Sequence, residues 1–129
     1  MGAKDWASEL KNIKITYDYD VHGGLTGTIA LGNLPDGFLV KEVFCYAETA
    51  LVGGGSFVVG EDGGGDADGY FTDLDGITVS TAVSGTGALV VGGLHHIVDS
   101  AKDGVQVTIA STAYSAGKLH FHFIGLQPA

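Results

Sequence analysis

Val105-Gln106-Val107-Thr108-Ile109-Ala110, a polar turn, then Lys118-Leu119-His120-Phe121-His122-Phe123: these two stretches decide the fold. Each alternates apolar and polar residues with period two, the rhythm of a strand that buries one face. The same rhythm opens the chain at Ile13-Lys14-Ile15-Thr16-Tyr17-Asp18-Tyr19. Between these ends, short apolar runs near 25–32, 38–48, 55–60, 69–73, 76–83 and 88–98 predict further strands. No convincing long helix interrupts them, so an all-β, antiparallel β-sandwich, jelly-roll-like, is expected, with an immunoglobulin-like arrangement second.

Glycine marks the joints. The chain has 22 glycines, where ordinary usage of about 7% gives roughly nine. They cluster as Gly23-Gly24, Gly53-Gly54-Gly55, Gly63-Gly64-Gly65 and Gly92-Gly93, between apolar runs, as tight turns require. Residues 1–12 differ in character, with Trp6 and Leu10 four apart on one or two turns of helix. They are expected to form an N-terminal arm or cap, leaving 13–129 as a single sandwich domain. No stretch approaches the about 18 continuous apolar residues of a membrane span. The start of the chain, with Asp5 and Glu9, does not read as a signal peptide.

Charge excludes whole classes of partner. Fifteen acids face six lysines and no arginine, a net charge of −9. Nucleic acid and anionic lipid both need a basic face, so neither is expected. Cys45 lies alone in an apolar run, which rules out an internal disulfide and favours a buried thiol over a nucleophile.

Two clusters invite chemistry. Glu61, Asp62, Asp66, Asp68, Asp73 and Asp75 fall within a stretch without lysine, and aspartates interleaved with glycine suit calcium. Glu61, Asp62, Asp66 and Asp68 are the candidate ligands, but the spacing is not that of an EF-hand, and a solvated acidic loop is the plainer reading. His120 and His122 share one strand face, and His95-His96 offers a further imidazole for zinc. No second cysteine or acidic ligand accompanies them, so a polar face turned to solvent or to a subunit interface is expected instead. Gathered at a symmetry axis, they would titrate near pH 6 and tune assembly. Neither a Gly-x-Ser-x-Gly elbow nor a phosphate-binding loop nor a dinucleotide fingerprint occurs. No cofactor and no catalytic residue is expected.

The run Phe38-Leu39-Val40-Lys41-Glu42-Val43-Phe44-Cys45-Tyr46-Ala47 is apolar on both faces. Such a strand is either central beneath a covering loop or part of a subunit interface. The alanine- and glycine-rich stretch 81–93 suits close packing of either kind.

The order of segments also resembles a known class. Its carriers are Ile15-Thr16-Tyr17-Asp18-Tyr19-Asp20-Val21-His22-Gly23-Gly24, Gly27-Thr28-Ile29-Ala30-Leu31 and Leu34-Pro35-Asp36-Gly37-Phe38-Leu39-Val40-Lys41-Glu42-Val43. Thr49-Ala50-Leu51-Val52-Gly53-Gly54-Gly55-Ser56, Val107-Thr108-Ile109-Ala110 and Thr112-Ala113-Tyr114-Ser115-Ala116-Gly117-Lys118 complete the pattern. Together they are similar to small structural proteins of tailed bacteriophages, the capsid decoration (cement) and head-fibre class. The resemblance implies a β-sandwich that assembles as a homo-oligomer, often a trimer, on the outside of a shell built from the major capsid protein. It implies a virion location after synthesis in the host bacterial cytoplasm. Interface residues would then be Phe38, Val40, Phe44 and Tyr46, Trp6 and Leu10 of the arm, and His120 and His122. The acidic loop and the histidines stand outside the resemblance. Two other readings remain open: a tail or fibre component of the virion, and a calcium-dependent, lectin-like module stacking Tyr70 or Phe71 on sugar.

Overall fold

The computed structural model describes residues 10–91 and 95–127. Its strands are β1 (Lys11–Asp18), β2 (Gly27–Asn33), β3 (Leu39–Gly53), β4 (Ser56–Glu61), β5 (Ala82–Ser84), β6 (His96–Ile97), β7 (Gly104–Ala110) and β8 (Tyr114–Leu126). One helical turn, α1 (Tyr19–His22), follows β1. The strands pair antiparallel in two sheets, one in the order β1-β8-β3-β5 with β6 also on β3, the other β2-β7-β4. From β1 to β5 successive strands step back and forth between the sheets, β6 returns to β3 beside β5, and β7 and β8 cross once more. The core lies between the two sheets, the arrangement of a β-sandwich.

Alternation builds that core as the sequence foretold. Ile15 and Tyr17 of β1, Val43 and Cys45 of β3, and Leu119, Phe121 and Phe123 of β8 all point inward. They meet Phe57 and Val59 of β4 and Val105, Val107 and Ile109 of β7. Tyr17 and Phe57 join the sheets edge to face, with ring centroids 5.0 Å apart. Burial pushes the Cys45 thiol up to about 12, so it behaves as a small apolar side chain.

The corner between β3 and β4 explains one glycine pair. Gly53 and Gly54 both have φ near +80°, and a Cβ on Gly54 would fall inside the Tyr114 ring. That ring is buried, edge-on to Phe57 at 5.6 Å, and its hydroxyl donates to Asp75 Oδ1 at 2.8 Å.

Three expectations need correction. The stretches 69–73 and 76–83 are mostly turns, leaving only β5 and isolated bridges at Phe71 and Val79. Their apolar residues Tyr70, Phe71, Leu74 and Ile77 are buried all the same, as plugs at the margin of the core. Aspartate and glycine shape the backbone there: Asp73 Oδ1 accepts from the N–H of both Phe57 (3.0 Å) and Asp75 (2.9 Å). Of 88–98, the described part holds only the two-residue β6. Finally, β1 starts at Lys11, two residues inside the expected arm, while the rest of that arm, apart from Leu10, lies outside the described residues.

Phe121 tests the shared core. It has no solvent exposure and packs against Phe71 across the sandwich at 5.7 Å. Phe121→Ala should cost about 3–5 kcal/mol in urea unfolding. Val21→Ala, on the exposed side of α1, should stay within about 0.5 kcal/mol.

Candidate functional site

The outward face of the β1-β8-β3 sheet brings together Lys14, Thr16, Phe44, Tyr46, His120 and His122. Register aligns them in rows: Lys14, His122 and Phe44 in one, Thr16, His120 and Tyr46 in the next. The rings stack obliquely across two strands in the order Phe44, His122, Tyr46, His120. Phe44 and His122 lie 4.8 Å apart at 10°, His122 and Tyr46 5.6 Å apart at 18°, and Tyr46 and His120 5.0 Å apart at 37°. Cross-strand neighbours with Cβ atoms about 5 Å apart favour this contact.

Hydrogen bonds fix both imidazoles. His120 bonds Thr16 Oγ1 through Nδ1 and Glu48 Oε1 through Nε2, each at 2.9 Å. With Nε2–H donating to the carboxylate, Nδ1 accepts from the Thr16 hydroxyl. His122 Nδ1 donates to Asn12 Oδ1 at 2.9 Å. The bond from His120 holds the Glu48 carboxyl below its ordinary value, aided by Lys118 at 3.4 Å. Burial, then the charges of Lys14 and His120, hold His122 below its ordinary 6.5.

Thr16, His120 and Glu48 thus form a hydroxyl–imidazole–carboxylate chain. Thr16 sits mid-strand on an unbroken β1–β8 ladder. The arrangement orders the face. Next to it, Asp18, Asp20, Glu48 and Lys118 line a cavity of about 310 Å³, with Lys118 3.9 Å from Asp18 Oδ2.

Of the expected interface residues, Phe44, Tyr46, His120 and His122 come together here. Tyr46 is 36% exposed, whereas His120 is buried beneath its bonds. Phe38 and Val40 do not join them: both are fully buried in the core. Strict alternation would place Val40 with Phe44 and Tyr46, but a bulge between Val40 and Glu42 adds one residue and reverses the faces. Leu10 is 59% exposed just ahead of β1, and Trp6 lies outside the described residues.

The acidic loop is turned inward on itself. Glu61 is buried, 3.1 Å from His96 Nε2 through Oε2, and accepts from the Asp66 N–H at 3.3 Å. Asp62 accepts from the Gly104 N–H at 3.0 Å. A hydrogen bond with Asp68 raises the Asp66 carboxyl. Among the described residues, no three His, Cys, Asp or Glu side chains converge on a point that would hold a metal ion. Tyr70 and Phe71 are buried, so neither offers a face to a sugar, contrary to the lectin-like expectation. Asn12, Thr16 and Glu48 were not singled out in the sequence. The alternation of β1 turns Thr16 outward, but only strand pairing brings it to His120.

No protein-family model matches the chain, and no curated protein matches it in sequence. The fold itself has a structural counterpart among phage capsid components. The chain is similar to one chain of the "Cyanophage Pam1 capsid asymmetric unit", at a TM-score of 0.69 and 19% identity, over 99% of this chain and 93% of that one. At that identity, the likeness is one of fold.

His122 gives the face a pH signature. Its folded pKa is depressed, so the unfolded chain binds more protons in the window below 6.5. Its contribution to stability is full above that value and is lost as pH falls through it. Unfolding free energy should therefore decline between about pH 7.5 and pH 5.5. The decline should be shallower in His122→Phe, measured by urea titration at each pH.

Proposed function

We propose that this chain is a bacteriophage virion structural protein, and within that class a capsid decoration (cement) protein that binds the outer capsid surface and stabilises the shell. One observation carries the reading: a fold shared end to end with a chain of a phage capsid asymmetric unit, both chains covered almost completely. The match joins two small polypeptides of nearly equal length, which suits a part added to a shell. The strand order supports it too. The antiparallel sheets β1-β8-β3-β5 and β2-β7-β4 suit a sandwich of that class, which we read as jelly-roll-like.

Decoration works through interfaces. A protein that bridges neighbouring subunits binds only the assembled shell, so each copy stabilises assembly over the free parts by mass action. Three sites on one homotrimer, the oligomer implied by the class it resembles, would add avidity without any single strong contact. The ring stack is the surface we assign to contact, either with a second copy or with the major capsid protein. Aromatic side chains on an ordered, low-entropy platform favour such a role. Leu10 and the segment before it, including Trp6, are assigned to the same task. A place in the tail or fibre remains the competing location within the virion, and the same particles resolve it.

The test is co-sedimentation with purified capsids of the phage that encodes the chain. The intact protein should sediment with heads and raise their melting temperature. Removal of residues 1–9 should abolish binding while leaving the unfolding midpoint of the free protein unchanged. Tyr46→Ala should weaken binding at least about tenfold, as an interface anchor does. Sedimentation with tails alone, or with neither, would contradict the decoration reading.

A further inference from the structure

The two sheets have four outer edges, and unpaired edges invite other chains unless they are blocked. Strand β5 has only three residues. The outer edge of β4 is covered: Val59 exchanges N–H···O bonds of 3.1 and 3.0 Å with Phe71, and the Leu74 N–H donates to the Phe57 carbonyl at 2.8 Å. Strand β1 carries Lys11, Lys14 and Asp18. Strand β2 differs. Gly27–Asn33 has seven residues, no charge and no proline, and among the described residues no strand lies on its outer side.

The hydrogen-bond directions identify which groups stand open. Leu34 N–H donates to the Asp103 carbonyl, and Asn33 and Gly32 face Gly104 and Val105. Antiparallel ladders alternate pairs that exchange bonds with pairs that do not. Along β7, Val105, Val107 and Ile109 therefore bond to β2, while Gln106 and Thr108 turn toward β4. The far side agrees, because the Asp62 N–H donates to the Gly104 carbonyl at 3.0 Å. Thr28 and Ala30, opposite Thr108 and Gln106, consequently point their N–H and C=O groups to the open edge. Both residues are exposed and small, so nothing of their own hinders an incoming strand.

Charge indicates what would come. Asp103 stands at the Asn33 end of this edge, with Asn33 held to its Oδ1 at 3.1 Å, and Asp36 follows three residues beyond Asn33. The edge is neutral along its length and acidic at its Asn33 end, in a chain of net charge −9. We propose that the open edge of β2 takes an extended segment of the capsid partner by strand addition, a segment uncharged at its centre and basic where it meets the Asn33 end. This rests on the capsid-binding reading above and names the chemistry of the partner.

Amide exchange on the intact protein tests it, with the heptapeptides KTVTVTK and ETVTVTE as probes. At about ten times its Kd, the lysine-flanked peptide should slow exchange at Thr28 and Ala30 about tenfold, and the glutamate-flanked one far less. Ala30→Pro removes an outward N–H without touching the bonds to β7, and should abolish the effect. Unchanged exchange at Val107 and Phe121 certifies its fold, and Thr28→Pro is the second variant if it does not. Thr28 and Ala30 amides already protected in the free protein, by its own chain or another copy, would overturn the proposal. So would equal effects from the two peptides. Co-sedimentation separates the claims: intact protein bound and Ala30→Pro released supports strand addition, whereas both bound overturns it and leaves capsid binding standing. Neither bound overturns both.

Discussion

The pairing of β8 with β1 on one side and β3 on the other is the constraint from which the rest of this molecule follows. It joins the last strand to the first, in an unbroken register from Lys11 against Gly125 to Asp18 against Lys118. One face of β8 sends Leu119, Phe121 and Phe123 into the core, where each fully buried side chain contributes about 1.5–3 kcal/mol. The other face sends out His120 and His122. Core and surface are thus set by a single strand whose register cannot slip by one residue without exchanging phenylalanine for histidine.

That constraint ties the outer face to stability. The ring stack exists because β3 lies beside β8 in the register that sets Phe44 against His122 and Tyr46 against His120. Thr16 reaches His120 only because β1 lies on the other side. Contacts between positions 16 and 120, or 12 and 122, are among the most distant the chain makes. Closing them costs loop entropy before any contact repays it, so such a topology folds slowly and as one cooperative unit. A face built this way is present only when the whole sandwich is.

Much of the fold was legible in the sequence, and for a definite reason. In β1, β7 and β8 one face is buried and the other wet, so the alternation is visible residue by residue. Between residues 62 and 103, that signal misleads. Tyr70, Phe71, Leu74 and Ile77 are as apolar as strand residues and as deeply buried, but they plug the margin of the core from turns held by Asp73 and neighbouring backbone groups. In β3, the bulge between Val40 and Glu42 separates Phe38 and Val40 from Phe44 and Tyr46, and no local pattern announces an extra residue. The histidine pair was legible as a shared face. Its partners Asn12, Thr16 and Glu48 were not, because pairing partners are a property of the sheet and not of any one strand.

The central claim is that the chain is a piece of a capsid exterior, and imaging tests it most directly. Cryo-electron microscopy of virions from the encoding phage should show density fitting this sandwich on the outer surface of the head, repeated with the lattice, with a neighbouring molecule against the Phe44–His122–Tyr46–His120 face. Density for the chain confined to the tail, or a head surface without it, would contradict the account.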